Sequence, residues 1–345
     1  MTDIDIYQDS SLCKLPTDTI IGVIGNGFVG NTITNASKNY FDRVMSYDID
    51  PQKCNSNLVD LVNFCDIINI CVPTPNNTDM QNDVHIENTF CKIKEILHKY
   101  PRNQAPLIIL RSTVLPGVTR KMRNNIKLFS GACRRVFFVP EFLSRATAQH
   151  DVEHPTRVII GTETSSETFE NRSPETNAIL KYLLSLATSP WLNASVPLQD
   201  QVFITSYEAA ELSKYMSNCL GAIKVSFMNE MYQLSKHMGC TPNEWESAVC
   251  AMLASGWVSK QHTNVPGPDG RLGFGGPCLA KDLFALQKKL DQVNLPSNTI
   301  AGALATNKIV RQPIHEKKQQ GPGTSISNKE SSISASSQQG GSVPF

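Results

Sequence analysis

The chain has 345 residues, 40% of them hydrophobic, and a formal net charge of +1. That length is enough for two domains with real cores, and so balanced a charge excludes a general attraction to nucleic acid or to an anionic membrane surface. No apolar run approaches the ~20 residues of a membrane-crossing helix. The start, MTDIDIYQDSSLCKLPTD, is polar and acidic, unlike a secretory signal. Ten cysteines lie scattered without paired spacing, which fits free thiols in a reducing cytosol better than a disulfide framework. The Asn-x-Ser/Thr triplets at Asn76 and Asn193 are then chance matches.

Residues 1–18 read as a flexible leader. From Thr19 the runs TIIGVIG, RVMSYD, DIINICV, PLIILRS, VFFVP and RVIIG alternate with helical stretches. Short runs rich in Ile and Val suit buried parallel strands covered by helices on both faces. The expected fold class is therefore α/β. A Rossmann-type, doubly wound parallel sheet over roughly 19–165 would lie in an NAD-binding domain reaching 200, followed by an all-helical domain over 201–312.

The first run leads into Gly25-Asn26-Gly27-Phe28-Val29-Gly30, a G-x-G-x-x-G turn placed between a strand and a helix. Gly25 would permit the tight turn, Gly27 a close approach of backbone to a pyrophosphate, and Gly30 the packing of helix on sheet. The pyrophosphate would sit on the helix N-terminus, where free N–H groups favour negative charge. The second strand ends at Asp48, placed to accept hydrogen bonds from a ribose diol and to repel a 2′-phosphate, which favours NAD over NADP; Asp50 competes for the role.

Residues 205–238 read as one long helix. Ala209, Leu212, Met216, Leu220, Ile223, Phe227, Met231 and Leu234 form an apolar stripe, with Glu211, Lys214, Asn218 and Asn229 on the opposite face. Lys214 and Asn218, four apart, can hold an alcohol oxygen and its alkoxide, although such a pair is more commonly a solvated helix face. The stripe is long for a helix packed within one small domain. Further helix is expected over 243–254 and from Lys281, separated by a Gly/Pro-rich loop over 264–277. That loop ends in GFGGPCLAKD, which puts Cys278 near a helix N-terminus. The position is expected to lower its pKa, with Lys281 adding positive charge and Asp282 able to position water or take a proton. A buried cysteine in a glycine-rich connector is the plainer alternative. The Ser/Gly/Gln-rich residues 313–345 are too polar to fold and read as a disordered tail.

These pieces, together with VPTP (Val72–Pro75), STVLPG (Ser112–Gly117), VPEFL (Val139–Leu143), PTRVIIG (Pro155–Gly161) and AELSKYMSNCLGAIKVSFMNE (Ala210–Glu230), are collinear over roughly 19–311. Together they resemble the UDP-glucose/GDP-mannose dehydrogenase family. The resemblance implies NAD-dependent oxidation of a nucleotide sugar's primary alcohol to a carboxylate, with two hydride transfers and a thiohemiacetal and thioester on Cys278. UDP-glucose is favoured as substrate; UDP-N-acetyl sugars and GDP-mannose stay open. It implies that Lys214, Asn218 and Asp282 handle the alcohol, the oxyanion and a catalytic water, and that Glu141 and Thr113 serve thioester hydrolysis. Gly25, Gly27, Phe28, Val29, Gly30, Asp48, Thr74, Thr113 and Lys281 would line the cofactor. Glu141, Phe142, Leu143, Lys214, Asn218, Phe274 and Gly275 would line the substrate. It also implies a cytoplasmic homodimer built on the long helix, with no metal, nucleic acid or membrane partner.

Two departures stand out. Against the family pattern, no third, C-terminal α/β domain is expected after the helical region, and His262 occupies the position of an arginine that family members offer to the substrate across the dimer interface. Arg271 is a substitute cation in the same loop. A phosphate held by His262 would bind more tightly as pH falls through ~6.5. A two-electron β-hydroxyacid-type dehydrogenase and a non-catalytic nucleotide-binding remnant are the alternatives; the cysteine loop argues against the first, and the full set of catalytic residue types against the second.

Overall fold

The computed structural model describes residues 13–76, 83–126, 135–188 and 196–311. The tail read over 313–345 lies outside these residues, as do positions 1–12. The end of the expected leader is not free. Lys14 donates to the Ala187 carbonyl (3.0 Å), and the Leu15 carbonyl accepts from the Tyr40 hydroxyl (2.8 Å).

Among the described residues seven strands form one sheet: β1 (Ile21–Ile24), β2 (Val44–Tyr47), β3 (Ile67–Ile70), β4 (Leu107–Leu110), β5 (Val136–Phe138), β6 (Val158–Thr162) and β7 (Val202–Ser206). Their spatial order is β2-β1-β3-β4-β5-β6-β7. The first five are parallel, with Ile21 of β1 opposite both Val44 and Ile67. β6 runs antiparallel to β5, with Gly161 opposite Phe138, and β7 is parallel to β6. The sheet is thus mostly parallel rather than wholly so. β7 also carries it through Ser206, beyond the boundary expected at 200. The segment VFITS is a half-buried edge strand running straight into a helix, so its pattern merges with the helix that follows.

The helices between the strands are α1 (Phe28–Lys38), α2 (Leu58–Phe64), α3 (Val84–Lys99), α4 (Val118–Ile126), α5 (Ala148–Glu153) and α6 (Pro174–Leu186). One core joins the sheet to α2, α3 and α4 through Leu61, Ile86, Phe90 and Met122. The other joins it to α1 and α6 through Ala36, Ile179, Tyr182 and Leu183. Burial of both faces is why β1 and β4 carry no polar side chain and β3 carries one, the buried Asn69.

After β7 come α7 (Tyr207–His237), α8 (Pro242–Leu253), α9 (Pro277–Gln292) and α10 (Asn298–Val310). A third core gathers Tyr215, Cys219, Leu283, Ile300 and Ala303 from α7, α9 and α10. The start of α7 docks on the sheet. The buried Tyr207 hydroxyl donates to the Val136 carbonyl at 2.6 Å. A Cβ at Gly161 would lie 2.9 Å from that of Ala210, so glycine there lets helix and strand approach.

The two sides of α7 separate as the sequence divides them, the polar side turned into the chain and most of the apolar stripe turned outward. Glu211, Lys214 and Asn229 are buried, whereas Met216 and Leu220 of the apolar stripe are 61% and 66% exposed. Leu212, Phe227 and Leu234 are exposed too. Polar residues face inward here because each meets a specific partner there, as described next.

Candidate active site

At the end of β1, Gly25 adopts a left-handed backbone (φ +88°), and a Cβ there would lie 2.8 Å from the Cys71 backbone. A Cβ on Gly30 would overlap the Gly25 carbonyl, whereas one on Gly27 would meet nothing within 4 Å. The turn is therefore tight on its inner side and open at Gly27. Gly27 caps α1 without a side-chain hydrogen bond, and the first turn, which holds Phe28 and Val29, has no acid. The free N–H groups face an open cleft of about 1200 Å³ lined by Gly27, Phe28, Lys53 and Arg145. An uncapped helix end beside open space and cations fits a dinucleotide pyrophosphate. Asp48 accepts from the Asn26 N–H (2.6 Å) and the Asp50 N–H (3.0 Å). Asp50 instead caps a short turn through the Gln52 N–H and pairs with Lys53 at 3.1 Å. Of the two acids, Asp48 is the one tied to the glycine turn.

The second group forms where α7 meets the loops after β3, β4 and β5. Glu211, fully buried, accepts from the N–H groups of Gly117 (2.6 Å) and Thr119 (2.8 Å) and so caps α4. Burial pushes its carboxyl up to about 7. One turn on, the Lys214 ammonium donates to the Glu141 carbonyl (2.5 Å), lies 3.9 Å from a Glu141 carboxylate oxygen and sits 4.9 Å above the Phe142 ring. Glu141 in turn accepts from the Leu143 N–H at 2.9 Å. The next turn brings Asn218, whose amide donates to Asp282 at 2.6 Å; the other Asp282 oxygen accepts from Lys281 at 2.6 Å. Thr74 donates to the Thr113 carbonyl (2.9 Å), joining the loops after β3 and β4. Asn76 donates to the Lys281 carbonyl (2.9 Å), tying the β3 loop to α9.

Cys278 is the second residue of α9, at a helix N-terminus as expected. Its pKa moves the other way, however. Although the residue is exposed overall, loss of water around the thiol and the nearby Asp282 and Glu141 carboxylates raise it, outweighing Lys214 and Lys281. The thiol is thus mostly protonated at neutral pH in the free protein. Phe274 is buried just before it, with Gly275 following.

His262 does not join this group. Its ring lies over Gly221 of α7, where a Cβ would come within 3.0 Å, and it adopts φ 67°. Burial and the neighbouring Lys224 push its pKa down from 6.5, so any tightening by a charged His262 falls below that pH. Arg271 is exposed and its N–H donates to Asp269 at 3.2 Å. Neither Glu211 nor Asn76 is a site candidate in the sequence: the first shares the polar face of the long helix with Lys214 and Asn218, and the second lies within a chance triplet. A polar residue one turn before Lys214 was the only local signal for Glu211.

All nine cysteines among the described residues are free. No helix among the described residues is long and apolar enough to cross a membrane.

Residues 53–175 match the NAD-binding domain of the UDP-glucose/GDP-mannose dehydrogenase family, and residues 208–309 match its central domain. The UDP-glucose 6-dehydrogenase of Streptococcus pneumoniae is 25% identical over 246 residues, which cover 71% of this chain and 55% of that protein. The GDP-mannose 6-dehydrogenase of Pseudomonas syringae pv. tomato is 28% identical over 259 residues, covering 73% of this chain and 52% of that one. The chain thus spans about half the length of these curated relatives. In fold it is similar to a UDP-glucose dehydrogenase from Pyrobaculum islandicum, with a TM-score of 0.68 at 22% identity over 86% of this chain and 70% of that one. With both family domains matched in order, the chain belongs to the UDP-glucose/GDP-mannose dehydrogenase family.

Proposed function

We propose that this protein oxidises the primary alcohol of a nucleotide sugar to a carboxylate, with UDP-glucose as the favoured substrate and Cys278 as the nucleophile. One observation carries this reading: charges from three separate stretches, Glu141, Lys214 and the Lys281–Asp282 pair, all bear on the Cys278 thiol.

NAD would be held by the Gly25–Gly30 turn with Phe28, Val29 and Lys281, by Asp48 through a ribose diol and by Thr74 and Thr113 on the nicotinamide side, and it would supply the hydride acceptor. Lys214 and Asn218 hold the substrate hydroxyl and stabilise the alkoxide as its proton leaves. Once a first hydride has been lost, the Cys278 sulfur, deprotonated, adds to the aldehyde carbon and forms a C–S bond. The thiohemiacetal so formed keeps the aldehyde in place for loss of a second hydride. The resulting thioester is cleaved by water positioned by Glu141, Thr113 and Asp282, which releases the carboxylate and returns the thiol. Phe142, Leu143, Phe274 and Gly275 cradle the sugar nucleotide. A working thiol requires a reducing compartment, which supports a cytoplasmic location. The outward apolar stripe of α7 supports a homodimer.

The test is turnover against a panel of nucleotide sugars, counting NADH per carboxylate. Two NADH per substrate are expected, and one would favour a two-electron hydroxyacid-type reaction. Cys278→Ser is nearly isosteric and is expected to abolish net carboxylate formation with the fold intact. Ordinary turnover by that variant would remove Cys278 from the mechanism.

A further inference from the structure

The segment that carries Cys278 is held from behind by the last turn of α10. Asn307 brackets the Phe274 peptide, accepting from its N–H at 2.8 Å and donating to its carbonyl at 3.2 Å. Arg311, directly after α10, donates to the carbonyls of Leu272 (3.1 Å) and Gly273 (3.1 Å) and pairs with Asp269. From the other side, Asn229 of α7 accepts from the Gly273 N–H at 2.9 Å. The glycines are shaped to this grip. Gly273 is left-handed (φ +70°), a Cβ there would overlap the Asn307 amide, and one on Gly275 would overlap the Arg311 guanidinium. α10 is itself braced on α7, where Ser226 donates to the Ala303 carbonyl at 3.0 Å. Five polar contacts thus converge on residues 272–274, four to six positions before the nucleophile, in a loop with no regular structure of its own.

We propose that Asn307 and Arg311 are positioning residues: they act through the Leu272–Gly276 backbone to set where Cys278 sits at the start of α9. This rests on Cys278 being the nucleophile. The clamp makes the helical end at Arg311 part of the active unit, although neither residue carries any of the reacting atoms. Loosening the loop lets Cys278 swing away from Asp282, Glu141, Lys214 and Lys281, the four charged groups bearing on it.

The experiment compares Asn307→Ala, Arg311→Ala and Arg311→Lys in the full chain. Four readouts are taken: kcat and KM for UDP-glucose, NADH affinity by fluorescence, melting temperature, and the pH profile of Cys278 alkylation by iodoacetamide followed by peptide mass. Both alanine variants are expected to lose kcat by about 10- to 100-fold, the scale of a small misplacement of a reacting group, with NADH affinity unchanged. The half-point of Cys278 alkylation should move down towards the ordinary thiol value of 9.0 as the thiol gains water. Arg311→Lys, which keeps the charge towards Asp269 but not the fork, should recover part of both. An alkylation profile identical to the parent, with only the melting temperature lowered, would overturn the proposal and leave the clamp as plain scaffolding. Should Arg311→Ala fail to fold, Asn307→Ala and Arg311→Lys carry the same comparison. If the parent turns over no nucleotide sugar, the proposed function fails, and the alkylation profile still decides whether the clamp sets the thiol.

Discussion

Glu211→Gln separates a buried, functioning carboxylate from a solvated one. Glu211 has no exposure and spends its two oxygens on the Gly117 and Thr119 N–H groups at the start of α4. Burial raises its pKa from 4.5 to about 7. Between those pH values the folded chain holds a proton that the unfolded chain has released, so stability falls as pH rises through this window and is level above it. A shift of that size corresponds to a loss on the order of 3 kcal/mol across the window. Carboxylates with depressed values, such as Glu208 beside Arg120, act in the opposite sense at lower pH, so the informative quantity is the difference between parent and variant. Urea unfolding midpoints measured across the window should show a downward trend in the parent that Glu211→Gln lacks. Because glutamine offers a single acceptor oxygen, the variant should also loosen the loop that carries Thr113 and lower kcat. Parallel stability curves for parent and variant would refute a buried, proton-holding Glu211.

Two further outcomes are expected. Asp48→Ala should relax a preference for NAD over NADP, measured as the ratio of kcat/KM values; equal use of both cofactors by the parent would sink the ribose role of Asp48. Met216→Glu combined with Leu220→Glu puts charge in the outward stripe of α7 and should convert a dimer into a monomer in sedimentation, with the melt of the single chain little altered because both side chains are largely exposed. A parent chain that is monomeric and fully active at micromolar concentration would contradict the interface.

Local pattern determined much of this protein. The strand runs, the glycine turn with Asp48 and the long helix each signal themselves within a few residues, because backbone period and left-handed turns are local properties. The collinear motifs led to the family by the same route, since each is a short contiguous string. Other features were decided only by the tertiary structure. β7 is a strand because β6 offers it an edge, not because VFITS alternates cleanly. The polar side of α7 faces inward because Gly117, Thr119, Glu141 and Asp282 wait there as partners from distant segments. Cys278 is at the helix start its sequence suggests, yet its thiol is pushed up, because a pKa sums burial and charges over every neighbour in space. The hold of Asn307 and Arg311 on the glycine loop spans more than thirty residues and leaves no periodic trace, since a side chain that grips a distant backbone obeys no local rule.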